Sequence, residues 1–193
     1  FYLYNQENGN LRFGTNGSER MRVDTGGLLI GTTSFSATNG SADGIALRAA
    51  NGERNFSRGS TATRDQIVFY NPNGLCGRIQ TSGSSTSYGT SSDYRLKENA
   101  TAISDGITRL KTLKPYRFNF KADATTTVDG FFAHEVTAVP EAISGTKDEV
   151  DSDNNPVYQE IDHSKLVPLL TAALQESVTE IESLKARLDA AGL

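Results

Sequence analysis

Ser92 and Lys97 stand five positions apart in the stretch SSDYRLKENA, residues 91–100. A serine hydroxyl and a lysine amine make a minimal catalytic pair: the amine takes the hydroxyl proton and the oxygen attacks a carbonyl. The amine must be neutral to do this. A lysine in water titrates at about 10.4, so burial or a nearby cation has to bring that value down. Arg95 is one candidate cation, and burial in an oligomer is another source. The spacing is awkward. On an ideal helix positions i and i+5 are about 140° apart, and on a strand they face opposite sides. The two side chains meet only if the chain turns between them, or if the lysine comes from a neighbouring subunit. Asp93 can cap such a turn. The plain alternative is a solvated lysine beside one of many serines.

The elements around this pair fall into two kinds. Residues 1–80 read as short strands. LRFGTNG, ERMRVDTGG, LLIGTT, GIALRAANG and QIVFYNPNG are apolar or alternating runs that stop at turn signals. Asn16-Gly17, Asn39-Gly40, Asn51-Gly52 and Asn73-Gly74 favour tight turns with positive φ. Arg20, Met21, Arg22 and Val23 alternate charged and apolar, as a strand with one buried face does. Each run is too short to bury much alone, so the segment is expected to pair with copies of itself in an intertwined fibre. Residues 81–91 are almost entirely Ser, Thr and Gly and read as a flexible linker.

From Ser92 the pattern changes to α+β. ISDGITRLKTLKP predicts a helix with Ile107, Leu110 and Leu113 on one face and Pro115 ending it. Tyr116, Phe118 and Phe120 alternate as in a strand. DGFFAHEV predicts a strand starting after Gly130, VTAVPEAI a short helix around Pro140, and YQEID a strand. The acidic stretch 147–157 reads as a loop or hairpin tip. It lacks the spaced ligands of a calcium loop. The last element, about 164–190, is the clearest. Val167, Leu174, Ile181 and Leu188 recur every seven residues, with Leu170, Ser177 and Leu184 three positions after the first three. That heptad seam predicts a long helix of roughly 40 Å that either packs on its own domain or holds chains together as a coiled coil.

Composition narrows the classes. The chain has 193 residues, and only 36% are hydrophobic, which suits an extended or oligomeric protein better than one large core. A net charge of -4 argues against nucleic acid as the main partner. There is one cysteine, Cys76, and hence no intrachain disulfide; with two histidines, His134 and His163, no metal or cofactor is expected. No apolar run is long enough to insert in a membrane. Phe1-Tyr2-Leu3-Tyr4 does not resemble a secretion signal, and the missing initial Met predicts that the chain is the end of something longer. The arginines at 12, 20, 22, 48, 54, 58, 64 and 78 are interleaved with acids. They are expected to face solvent or pair across chains.

SSDYRLKEN, LKTLKPYRFNF, DGFFAHEV and YQEIDHSKLVPLLTAALQE, in that order, resemble the intramolecular chaperone domain that ends phage tail fibres, tailspike endosialidases and neck appendages, the peptidase S74 family. The resemblance spans about 92–193, and GTNGSERMRVDTGGLLIGTT resembles the fibre repeats that precede such domains. It implies a virion tail fibre, a homotrimer held by a C-terminal coiled coil, and contact with a host-cell surface receptor. It also implies self-cleavage at Ser91–Ser92. In the family pattern Ser-Asp-x-Arg-x-Lys, Ser92 is then the nucleophile and Lys97 the base, with Asp93, Arg95 and His134 as supporting candidates. His134 has a second reading as a structural hydrogen-bonding residue. The competing function is a permanent trimerisation and attachment cap that never cuts. A glycan hydrolase ranks last, because no paired-carboxylate pocket is visible in the fibre half.

Overall fold

In the computed structural model, residues 9–34, 43–49 and 51–192 are described. The expected turn at Asn39-Gly40 lies outside them. The chain divides into two compact units, Phe1–Glu98 and Asn99–Leu193.

The first unit holds two antiparallel sheets. Strands β1 (Leu11–Thr15), β2 (Ser18–Asp24), β3 (Gly27–Ile30), β4 (Gly44–Arg48) and β5 (Arg54–Ser57) form a meander in chain order. Strands β6 (Arg64–Asn71), β7 (Gly74–Ser82) and β8 (Ser85–Thr90) form the other. These ladders pair strands of one chain. Tight turns make this possible: Asn16 and Gly17 both take positive φ, 51° and 70°, as a two-residue hairpin of the favoured twist requires. What stays unpartnered is a face. Registered side chains Phe13, Met21, Ile30, Ile45 and Phe56 form one apolar row across five strands, with Leu11, Val23, Leu28 and Leu47 beside it. On this face Phe13, Val23, Ile30 and Phe56 remain exposed.

Two expectations are corrected here. Residues 81–91 are no linker: β7 runs to Ser82, and β8 pairs with it from Ser82↔Ser85 to Gly77↔Thr90. Thr86, Tyr88 and Thr90 alternate along β8, and β-branched and aromatic side chains on one face stabilise a strand despite the surrounding serines. Four of the eight arginines also find acids within the chain. Arg12 and Arg22 share Glu19, Arg48 pairs with Glu53, and Arg78 with Asp65.

The second unit is α+β. Helix α1 (Gly106–Leu110) precedes a hairpin of β9 (Tyr116–Phe120) and β10 (Asp123–Gly130). The strand expected after Gly130 ends there instead, and a 3-10 turn, Ala133–Glu135, follows. A second 3-10 turn, Pro140–Ala142, leads into β11 (Ile143–Ser144), which pairs with β12 (Glu160–Ile161). The acidic stretch between them is a hairpin tip. Asp151 accepts hydrogen bonds from the backbone of Asp153 and Asn155, and Val150 bridges Pro156. A 3-10 segment, His163–Leu166, opens helix α2 (Val167–Ala190).

Val136, Val139, Ala142, Leu166 and Leu169 make the core of this unit. Helix α2 contributes Leu169 to it, and Ala172 and Ala173 of the same helix are also buried. The heptad residues occupy another stripe, and Val167, Leu170, Leu174, Ile181, Leu184 and Leu188 are all exposed. From residue 178 to 190 no side chain of the helix is buried.

Helix α1 crosses α2 at backbone distance. A Cβ on Gly106 would lie 2.5 Å from Ala173 N and 2.7 Å from Ala172 C. The Glu176 carboxylate accepts from Gly106 N at 2.6 Å and from Ile107 N at 2.9 Å, capping α1 from the neighbouring helix. Gly106→Ala should therefore force the helices apart, at a cost of about 1–3 kcal/mol. Thermal melting should show a fall of roughly 5–15 °C for the unit. Gly89→Ala, whose nearest neighbour would be the Arg78 side chain at 3.5 Å, should melt close to the wild type.

Candidate active site

The segment after β8 solves the spacing problem posed by Ser92 and Lys97. Asp93 has extended backbone (φ -62°, ψ 138°), and its carboxylate accepts from Arg95 N at 2.8 Å, so it caps the 3-10 turn Tyr94–Leu96. Two more bonds, from Arg95 Nε at 2.9 Å and Nη2 at 2.8 Å, clamp the guanidinium on the same carboxylate. Leu96 N–H donates to Asp93 O and Lys97 N–H to Tyr94 O, each at 3.1 Å. A 3-10 turn rotates about 120° per residue, and this one swings Lys97 back over the start of the segment. Lys97 Nζ lies 2.7 Å from Ser92 Oγ. The ammonium donates in that contact; a neutral amine would accept the hydroxyl proton across the same distance.

Arg95 is thus committed to Asp93, where it shapes the turn. Its hydrogen bonds to the Asp93 side chain hold that carboxyl below the usual range, assisted by the Arg95 backbone N–H. A depressed carboxyl stabilises its surroundings fully above the unfolded value and loses that contribution as pH falls through the folded one. The turn should therefore be insensitive to pH above about 4 and loosen only in stronger acid. Asp93→Asn keeps a capping oxygen but loses the charge pair, and should slow any chemistry at Ser92 about two- to fivefold; Asp93→Ala removes the cap as well and should slow it more. Rates measured at neutral pH check both.

The chain on the other side of Ser92 is held differently. Ser91 N–H donates to Cys76 O at 3.0 Å, and Ser91 Oγ donates to Leu75 O at 2.6 Å. Both acceptors are successive residues of β7. Every residue from 91 to 100 is exposed in the single chain.

Residues 92–144 match the model of the peptidase S74 family, described as chaperone of endosialidase. Over that stretch the chain is similar to that family. The match begins at the serine that the lysine touches. No curated protein matches the chain. The resemblance read over 92–193 is met by the family model as far as residue 144, which takes in the Ser92–Lys97 turn, β9, β10 and the Pro140 turn.

By contacts, the turn Ser92–Lys97 belongs with the first compact unit, which runs to Glu98, so the S74 match starts inside that unit. The reason lies in the bonds just described. Ser91 extends the β7 ladder, and the turn closes on its own residues. Of the site residues read from sequence, Ser91, Ser92, Asp93, Arg95 and Lys97 are brought together. His134 belongs to the second unit. It lies in the turn Ala133–Glu135, stacked on Phe132 with centroids 6.1 Å apart, and faces an open cavity of about 420 Å³ with Lys147, Asp148 and Tyr158. Beside it, Glu135 accepts from Tyr116 Oη at 2.8 Å, which holds its carboxyl below the usual range. His163 packs near Phe131 at the start of the C-terminal helical segment. Among the described residues no cluster of His, Cys, Asp and Glu is suited to a metal, and no helix is long and apolar enough to cross a membrane.

Proposed function

We propose that this chain is the C-terminal part of a phage tail fibre whose chaperone domain assembles three chains and then releases itself by breaking the Ser91–Ser92 bond. The observation that carries the proposal is the 2.7 Å contact between Lys97 Nζ and Ser92 Oγ at the start of the S74 match. Neutral Lys97 takes the Ser92 hydroxyl proton while Oγ attacks the Ser91 carbonyl carbon. The tetrahedral intermediate collapses with cleavage of the C–N bond, and the ammonium of Lys97 returns the proton to Ser92 N. The peptide is now an ester between the Ser91 acyl group and Ser92 Oγ. Water, deprotonated by the same amine, attacks that ester. The products are a Ser91 carboxylate and a Ser92 with free amine and hydroxyl. No substrate pocket is needed, because the nucleophile is one residue from its target and proximity supplies the effective concentration.

Assembly provides the timing. In a single chain the lysine and every residue around it from 91 to 100 are exposed. Tyr94 and Leu96 lie in the turn that joins the pair and are 81% and 69% exposed. Packing a neighbouring copy over this turn would strip water from the amine and favour its neutral form. The seam on α2 supplies the driving force for that packing, since six heptad residues stand exposed. Half of α2 buries no side chain in its own unit, and a helix of that length with little packing is marginal in water. A trimeric coiled coil covers it. Cleavage then removes the nucleating piece, and the fibre left behind is stable through its unfolding barrier.

The full exposure of residues 91–100 also favours a second reading, a cap that trimerises and never cuts. Intact mass of the purified chain, with a native oligomer count, separates the two. Masses of 1–91 and 92–193 arising from a trimer are the expected result. A stable trimer of full-length chains favours the cap. Scission in a preparation that remains monomeric overturns the link to assembly. A host-surface receptor and upstream fibre sequence are the further partners of this reading, and its location is the virion tail.

A further inference from the structure

We infer that Ser91 is a positioning residue for the cleavage, acting through its own side-chain hydroxyl. This rests on the self-cleavage proposed above and adds to it the device that presents the carbonyl. The Ser91 N–H bond to Cys76 O, 3.0 Å, is the last rung of the β7–β8 ladder. One rung alone leaves the end of a strand free to fray. The second bond, Ser91 Oγ to Leu75 O at 2.6 Å, comes from the side chain and ties the same residue to the next carbonyl of β7. Two tethers to adjacent acceptors hold the residue at both its amide and its side chain, so the carbonyl that follows has little freedom left.

Past that clamp the backbone is released from the sheet. The next backbone hydrogen bonds on the chain belong to the 3-10 turn, from Leu96 and Lys97. The scissile bond therefore joins a fixed acyl half to a nucleophile half held by the Asp93–Arg95 turn. Chemistry benefits from both. The attacked carbon stays at one place relative to Ser92 Oγ, which raises the share of near-attack geometries. The Ser92 nitrogen, outside the ladder, is free to become tetrahedral as it leaves. Alanine or valine at 91 would keep the ladder rung and lose the side-chain tether.

The test uses the full chain. Ser91→Ala should form trimers with the wild-type melting temperature, since only an exposed side-chain bond is lost. Its cleavage should slow about three- to tenfold, the worth of one hydrogen bond. Ser91→Thr, which keeps the hydroxyl, should restore most of the rate. The pH–rate profile of Ser91→Ala should fall in height and keep its midpoint, because the base is untouched. Excess hydroxylamine, which intercepts the ester, should not rescue Ser91→Ala, because the slowed step is acyl transfer itself. Wild-type speed in Ser91→Ala overturns the inference. So does a loss that Thr fails to restore, or one that tracks lost trimer. A wild-type trimer that never cleaves removes the underlying reaction and this inference with it.

Discussion

Ser92→Ala should leave the chain intact at 20.8 kDa under conditions where the wild type yields two fragments of roughly half that mass. The substitution removes the only atom that attacks, and the alanine fits an exposed position without strain. Trimer formation and melting should match those of the uncleaved wild type. Lys97→Ala should block cleavage as completely, because Ser92 then keeps its proton. Lys97→Arg is the more telling variant. It preserves charge and reach, but a guanidinium does not give up its proton in proteins, so it should fold, assemble and fail to cut. Together these variants should reduce the rate by about three orders of magnitude or more, in line with loss of a nucleophile or its base. Denaturing gels and intact mass over days provide the measurement. Scission at normal speed in Ser92→Ala would sink the scheme. Normal speed in Lys97→Arg would remove the amine from it.

The second large effect concerns residues that do nothing visible in one chain. Leu174 and Ile181 are 66% and 51% exposed on α2. Substituting an exposed side chain ordinarily changes stability by about 0.5 kcal/mol or less. If the heptad stripe is the seam of a trimer, Leu174→Asp and Ile181→Asp place three like charges together in an apolar layer, and assembly should be lost. Cleavage should vanish with it, though both residues lie in the second unit and the dyad in the first. The expected outcome is a monomer by native mass and light scattering, full length, and with Ser92 and Lys97 both present. Thr179→Asp, an exposed position off the heptad, should leave trimer and cleavage unchanged. A cleaving monomer would separate the chemistry from assembly and overturn the proposed timing.

Much of this was legible in the residues themselves. Strands β1 to β4 and β6 announced themselves by alternation and by Asn-Gly turns. The long C-terminal helix followed from its seven-residue period. The site was legible as a pair of residue types with a geometric difficulty, and the Asp93 cap that resolves it was a visible candidate. Strand β8 was hidden by composition. Six residues rich in serine carry little hydrophobic signal, and the alternation of Thr86, Tyr88 and Thr90 was the trace available. Missing β8 also hid the Ser91 clamp, since a linker has no ladder to end. Arg95 is one candidate cation for Lys97 by sequence, and its guanidinium is engaged by Asp93. Glu176 was out of reach for another reason. It caps a helix 70 positions earlier, and no local pattern foretells a partner at that separation. Gly106 likewise looked like a mere helix start, although the approach of two backbones makes the absence of a side chain necessary there.

If the chain is cut as proposed, the place where the ladder stops has a consequence for the piece that ends at Ser91. A chain ending at Ser91 has no overhang: its final amide and final hydroxyl are both engaged by β7. Carboxypeptidases need a loose stretch of several residues to grip, and a blunt, stitched-down terminus denies them one. A tip produced by the proposed cut should therefore resist trimming by such enzymes.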